Sequence, residues 1–293
     1  MKRILSLIII LSLMFTFSAC TDIVRTAKKT PSTEPAVTDS DKAPDTTEAE
    51  TTAPRDTTAE ETTAAEETTD ADTTAPLFGE EPTYPSVLMY HCIHDEPYTE
   101  NTALFVRPSE LESHLQALND NGIKTLFADE FGPTYEKSVI LTFDDGYEDN
   151  YTYMFPLIKK YGVKVTVYMI GYKIDKPGYL SSEEIKEMSD SGLVQFGSHT
   201  LDHPMLTSLS DDGIKEQFEG TNWLISQITG KPVTTVAYPS GSYNNRVTSI
   251  AREYYKFAYT TDANYYWGQD DMMLPRYAIL RGVSAAGLLT YVK

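Results

Sequence analysis

Cysteine is nearly absent from this 293-residue chain, which has only Cys20 and Cys92. A fold of this size can bury a core large enough to do without disulfides. Positive charge is also scarce: 24 Lys and Arg stand against 43 Asp and Glu, a net charge of −19. That balance excludes nucleic acid as a natural ligand, because phosphate backbones are held by basic surfaces. Long hydrophobic runs are missing beyond the first residues. The one there is, Ile4 to Phe17, is too short to serve comfortably as a permanent membrane span. Histidine is rare, with five in all and none after His203.

The N-terminus reads as an export signal. Met1-Lys2-Arg3 is basic, the apolar run follows, and Phe17-Ser18-Ala19 places small residues before Cys20. This resembles the lipobox of bacterial lipoproteins, with Phe17 where Leu is usual. The resemblance implies lipidation at Cys20, membrane attachment and an exported chain facing the outside. If Cys20 carries lipid, no disulfide can form within the chain. Residues 21–82 carry 16 acids and 5 bases amid Thr, Ala and Pro, with few large apolar side chains. Such a composition cannot offset chain entropy and is expected to be a disordered, self-repelling, acidic Thr-rich linker.

From residue 83 the pattern changes. Apolar runs at Ser86–Tyr90, Ser138–Phe143, Lys164–Ile170, Val194–Ser198, Val233–Ala237 and Phe257–Thr260 read as strands. Between them, Pro108–Asn121, Asp149–Tyr161, a segment opening at Ser181 and ending near Gly192, Ser210–Thr229 and Asn245–Tyr255 read as helices. Pro108 suits a first turn, Ser181-Ser-Glu-Glu184 has capping-box spacing, and Pro156 predicts a kink. This alternation favours a mainly parallel α/β sheet. In a closed barrel every strand would deliver its C-terminal end to one rim, where active sites of such folds sit. His91, Asp144-Asp145, His199 and Tyr238-Pro-Ser-Gly241 all follow predicted strands.

Those strand ends carry chemistry. Asp144-Asp145-Gly146 puts two carboxylates side by side, although the same run can form a simple turn. His199 and His203 are four apart; on a helical turn both rings would share a face. One Asp and two His make a three-ligand set for a divalent cation with a position left for water. The other Asp is then left as a base. One oxygen and two imidazoles suit zinc or a later first-row ion such as cobalt or nickel better than magnesium or calcium.

Thr142-Phe-Asp-Asp-Gly-Tyr147 and Ser198-His-Thr-Leu-Asp-His203 together resemble the polysaccharide deacetylases of carbohydrate esterase family 4, the NodB homology domain. The resemblance covers about Ser86 to Lys293 and implies a distorted (β/α) barrel. It implies Asp144 as general base and Asp145, His199 and His203 as ligands of zinc or a similar ion. Val236-Ala-Tyr-Pro-Ser-Gly241 resembles the third family motif. It implies a groove lined by Tyr238, Pro239 and Gly241, with the Tyr238 N–H facing the oxyanion. The Arg that usually precedes this motif is replaced by Thr234 and Thr235; Arg276 resembles the substitute used in a lipoprotein-like subgroup. The late His motif is missing. His91 resembles instead the N-terminal acid of extracellular poly-N-acetylglucosamine deacetylases, with His94 the alternative. His114 reads as a surface residue in mid-helix. Trp267, with Tyr265 and Tyr266, is a candidate for stacking on sugar rings. The expectation is a monomeric, membrane-tethered hydrolase that removes N-acetyl groups from N-acetylglucosamine units of a surface or wall polysaccharide. An O-acetyl xylan esterase using the same residues and a non-catalytic carbohydrate binder are the alternatives.

Overall fold

The computed structural model describes residues 81–263 and 270–292. The leader, Cys20, nearly all of the acidic linker and Trp267 lie outside them. The strands, in chain order, are β1 (Ser86–Tyr90), β2 (Cys92–Ile93), β3 (Phe105–Val106), β4 (Lys124–Leu126), β5 (Ser138–Phe143), β6 (Val165–Met169), β7 (Val194–Ser198), β8 (Thr235–Ala237), β9 (Phe257–Tyr259) and β10 (Tyr277–Ala278). The α-helices are α1 (Pro108–Asp120), α2 (Phe155–Tyr161), α3 (Ser182–Asp190), α4 (Asp211–Thr229), α5 (Asn245–Ala251) and α6 (Ala285–Leu289). No helix among the described residues is long and apolar enough to cross a membrane.

Eight strands form one parallel sheet in the order β10-β1-β5-β6-β7-β8-β9, with β4 beside the start of β5. β4 pairs with Ser138 to Ile140, and β6 takes over along the same edge at Thr142 and Phe143. The sheet is parallel, as the alternation favoured, and curls into the distorted barrel that the family resemblance implied. Its last gap is bridged by an irregular segment rather than a full strand. Leu274 bridges Tyr259 of β9, and three residues later Tyr277 and Ala278 pair with Leu88 and Met89 of β1. Residues 274–278 are thus the seam of the barrel.

Side-chain parity divides the interior in two. Leu88, Tyr90, Leu141 and Phe143 point outward into the main core beneath the helices. Val87, Ile140, Tyr168, Ala237, Tyr259 and Leu274 fill the inside of the barrel. These side chains are essentially solvent-free. Burying a large apolar side chain contributes about 1.5–3 kcal/mol relative to leaving it exposed.

Most helices begin and end where their capping residues predict. Ser181 accepts from the Glu184 N–H while Glu184 accepts from the Ser181 N–H at 2.8 Å, completing the capping box of α3. Three expectations need correction. The Asp149–Tyr161 segment is not a simple kinked helix: Asn150–Met154 is a π-helical turn leading into α2. Pro156 has no N–H to offer the preceding turn, so the regular ladder cannot run through it. The helix expected over Asn245–Tyr255 stops at Ala251, and Tyr255 turns inward onto Phe218, its hydroxyl donating to Asn222 at 3.0 Å. His114 is fully buried, not on the surface. Its Nε2 donates to the Val283 carbonyl at 2.8 Å, which leaves Nδ1 to accept from the Tyr90 hydroxyl at 3.1 Å.

Candidate active site

Asp144 is the first residue beyond β5. Its N–H donates to the Tyr90 carbonyl at 3.0 Å, so the β-ladder extends one step past the strand. Alternation continues with it: Ile140, Thr142 and Asp144 share the inward parity. The next residue breaks that parity. Asp145 has a left-handed φ of +76°, which swings its carboxylate away from the Asp144 side chain and toward the rim. One carboxylate is therefore 2% exposed and the other 14%. Adjacent acids acquire different surroundings from a single backbone rotation.

Arg276, on the seam and fully buried, reaches inward to Asp144. Its Nη1 and Nη2 donate to Asp144 Oδ1 and Oδ2, each at 2.7 Å. Nη1 also donates to Thr142 Oγ1 at 3.1 Å, and Nε to the Thr260 carbonyl at 2.9 Å. This parallel fork is the strong, orientation-specific form of the ion pair. Burial pushes the Asp144 carboxyl up, but Arg276 above all, with His199 and His91, outweighs it and holds the group well below the ordinary carboxylate range. Each oxygen retains a lone pair beyond the fork. Oδ2 stands 3.9 Å from His199 Nε2.

His199 follows β7 and is 3% exposed. Its Nδ1 lies 2.7 Å from the Ala237 carbonyl. A carbonyl can only accept, so Nδ1 carries the proton and Nε2 presents a lone pair. Burial lowers the ring's affinity for a proton more than Asp144 and Asp145 raise it. His199 Nε2 is 3.5 Å from Asp145 Oδ1, and His203 Nε2 is 3.8 Å from the same oxygen. The two rings are edge-on at 4.9 Å between centroids. They are brought together by a loop rather than by the helical turn that the four-residue spacing suggested: Thr200 and His203 have φ of +67° and +62°.

Asp145, His199 and His203 each present one ligand atom, and these atoms lie within 4.8 Å of one another. A lone pair on neutral His199 faces an ionisable oxygen with no donor between them, and a shared cation satisfies both. The donor set, one oxygen and two imidazoles, fits a divalent metal of the zinc type.

His91 follows β1, half-buried, and a charge on its ring favours the ionised Asp144 carboxylate. Its carbonyl accepts from Asn150 Nδ2 at 3.0 Å. His94 lies further out, its Nδ1 within 2.8 Å of the Glu96 carbonyl and its ring edge-on to Tyr98 and Tyr153. Of these two, His91 is the one whose charge acts on Asp144 among the leading influences.

The third motif forms a tight turn after β8. Pro239 is buried, and Gly241 has φ +65° at a point where a Cβ would collide with Thr261 Oγ1. One expectation fails here. The Tyr238 N–H donates to the Tyr259 carbonyl at 3.0 Å, continuing the β8–β9 ladder, and the Tyr238 ring is wholly buried with its hydroxyl on the Met272 carbonyl. Tyr238 therefore offers the groove neither N–H nor side chain. In the same turn the Gly241 and Ser242 N–H groups also have acceptors. That leaves the exposed Ser240, whose N–H has no acceptor among the described residues.

Two contributors were not foreseen. Asn150 anchors the His91 backbone, and Tyr147 stacks on Tyr179 at 5.2 Å beside Asp145.

The family profile described as "Polysaccharide deacetylase" matches residues 131–256. A Bacillus subtilis (strain 168) protein named for that family, YxkH, is 32% identical over 223 residues, covering 73% of this chain and 78% of its own. The crystal structure of BA0330 from Bacillus anthracis, also named for the family, aligns with a TM-score of 0.68 at 31% identity, covering 72% of this chain and 70% of that one. The poly-β-1,6-N-acetyl-D-glucosamine N-deacetylase of Staphylococcus aureus (strain MRSA252) is 26% identical over 188 residues, covering 54% of this chain and 65% of its own.

Proposed function

Because this chain belongs to the polysaccharide deacetylase family, we propose that its site removes N-acetyl groups from N-acetylglucosamine units of a cell-surface or cell-wall polysaccharide. The observation that carries the reading is the convergence of Asp145, His199 and His203 beside an ionised, Arg-clamped Asp144. The amide-cleaving preference is supported by the position of His91 and by the likeness to a relative named for that reaction.

Asp145, His199 and His203 would hold the ion. When bound, a divalent cation supplies Lewis acidity, polarising the acetamide carbonyl and making a water easier to deprotonate. Asp144 takes the water proton at Oδ2. Arg276 keeps that carboxylate ionised and fixed in direction, which limits its basicity but removes the cost of orienting it. Oxygen attacks the carbonyl carbon, and the Ser240 N–H, in place of Tyr238, is the backbone donor offered to the developing negative charge. His91 gives a proton to the nitrogen as the C–N bond breaks, since an unprotonated amine is a poor leaving group. Acetate and a free glucosamine unit result.

The N-terminal signal, Cys20 and the acidic linker support an exported lipoprotein that carries the deacetylase at the outer face of the membrane. The test of the activity is acetate release from N-acetylglucosamine oligomers and from acetylxylan, by protein stripped with a chelator and reloaded with zinc, cobalt or nickel. Release from the glucosamine polymer that disappears on stripping and returns on loading is expected. Full activity after exhaustive stripping would overturn the metal assignment, and a preference for acetylxylan would overturn the substrate.

A further inference from the structure

Both histidines of the ligand set sit on a short loop that is strained. Thr200 and His203 occupy the left-handed region without being glycine. Such residues persist there only where the surroundings enforce it. On one side of the loop, the Gly171 N–H donates to the Thr200 carbonyl at 3.0 Å and the Tyr172 N–H to the Leu201 carbonyl at 2.7 Å. On the other side stands Gln217 of α4, 9% exposed. Its Oε1 accepts from the Leu201 N–H at 2.9 Å and from the Asp202 N–H at 3.2 Å. Two N–H donors converging on one atom require that atom to be oxygen, so the amide orientation is fixed by chemistry. The Leu201 side chain lies between Gly171 and Gly220, where a Cβ on either would stand 2.9 Å from a Leu201 methyl.

The two ligands depend on this clamp unequally. His199 has its own anchor in the bond from Nδ1 to Ala237. The His203 ring accepts and donates no hydrogen bond to other groups among the described residues; its nearest charged neighbour is Asp145, and its N–H is tied to Thr200 Oγ1 at 3.1 Å. The loop backbone therefore sets where His203 Nε2 points.

The geometry points to Gln217 as a positioning residue that sets the metal affinity of the His199–His203 pair while touching neither metal nor substrate. α4 is well suited to carry it. The helix is 19 residues long, is capped at Ser210 and meets the loop at Gln217 and, through the Leu201 side chain, at Gly220. The inference rests on Asp145, His199 and His203 being the ligand set.

The experiment measures the zinc dissociation constant of the purified full chain by competition with a chromophoric chelator, alongside thermal melting of the metal-free protein. Gln217→Leu removes the acceptor and is expected to weaken zinc binding by about 10- to 100-fold, the usual effect of losing a residue that orients a ligand. Gln217→Glu keeps an oxygen for both N–H groups and is expected to bind zinc close to wild type. If Gln217→Leu does not fold, Gln217→Asn replaces it; its oxygen falls one methylene short, and weakened binding is again expected. Wild-type affinity in the Leu or Asn variant overturns the inference. So does a Glu variant as weak as Leu, which would trace the loss to packing. A wild-type chain that binds no zinc overturns the ligand set itself, and this inference with it.

Discussion

Arg276 directs four of its five N–H donors at named acceptors, two of them on Asp144, without any contact with solvent. Removing it strands a buried carboxylate. Arg276→Met is expected to destabilise the protein by about 3–5 kcal/mol, the usual result of breaking one half of a buried pair, as read from urea unfolding of the metal-free protein. Because the folded Asp144 carboxyl is held low, the pair's contribution is present above the ordinary value of 3.8 and is lost as pH falls below it. Asp144→Asn, by contrast, is expected to leave zinc stoichiometry intact and to cut turnover by about 10²–10⁴, the worth of a positioned base. His114 also costs stability on acidification, in a different window. Burial lowers its proton affinity below the ordinary 6.5, so the unfolded chain takes up a proton that the folded one refuses. Stability from this group is complete above about pH 6.5 and declines as pH falls beneath it. Comparing melting at pH 5.5 and 7.5, His114→Gln is expected to lose less on acidification than wild type.

Elements decide which residues the sequence could place. Strand ends were legible, because alternation within β1, β5 and β7 fixes which side chains face inward, and Asp144, His199 and His91 simply continue those strands. The role assigned to Tyr238 failed for a related reason: β8 pairs one step further than its apolar run suggested, and the ladder consumed the N–H. His114 was misread because its cover comes from the Val283 carbonyl just before α6, a five-residue helix with too little pattern to announce itself. Gln217 and Asn150 were invisible because their partners lie 15 to 16 and 59 residues away in sequence. The π-turn gives a test at this scale. It presents Asn150 beneath the His91 backbone, so Asn150→Ala is expected to retain zinc but lower turnover on N-acetylglucosamine oligomers. Activated aryl acetates, whose leaving groups need no proton, should be hydrolysed nearly as before. Equal losses on both substrates would show that Asn150 acts on something other than His91.

At the scale of the molecule, composition alone sets residues 83–293 apart from the acidic Thr-rich stretch 21–82, which is expected to be a dispensable linker. A chain beginning near Glu81 is expected to fold and to release acetate from soluble oligosaccharides as fast as the longer form; failure to fold would show that the preceding residues pack on the domain. The family fold explains why motifs dispersed over a hundred residues meet on one rim. The seam adds a temporal consequence. Everything from His91 to His203 is synthesised before residues 274–278 exist. Until that last stretch arrives the barrel has an open edge, and Asp144 has no guanidinium to hold it. A chain cut before residue 274 would keep Asp144, Asp145, His199 and His203 yet lack the guanidinium that holds the base, so the seam is what closes the site.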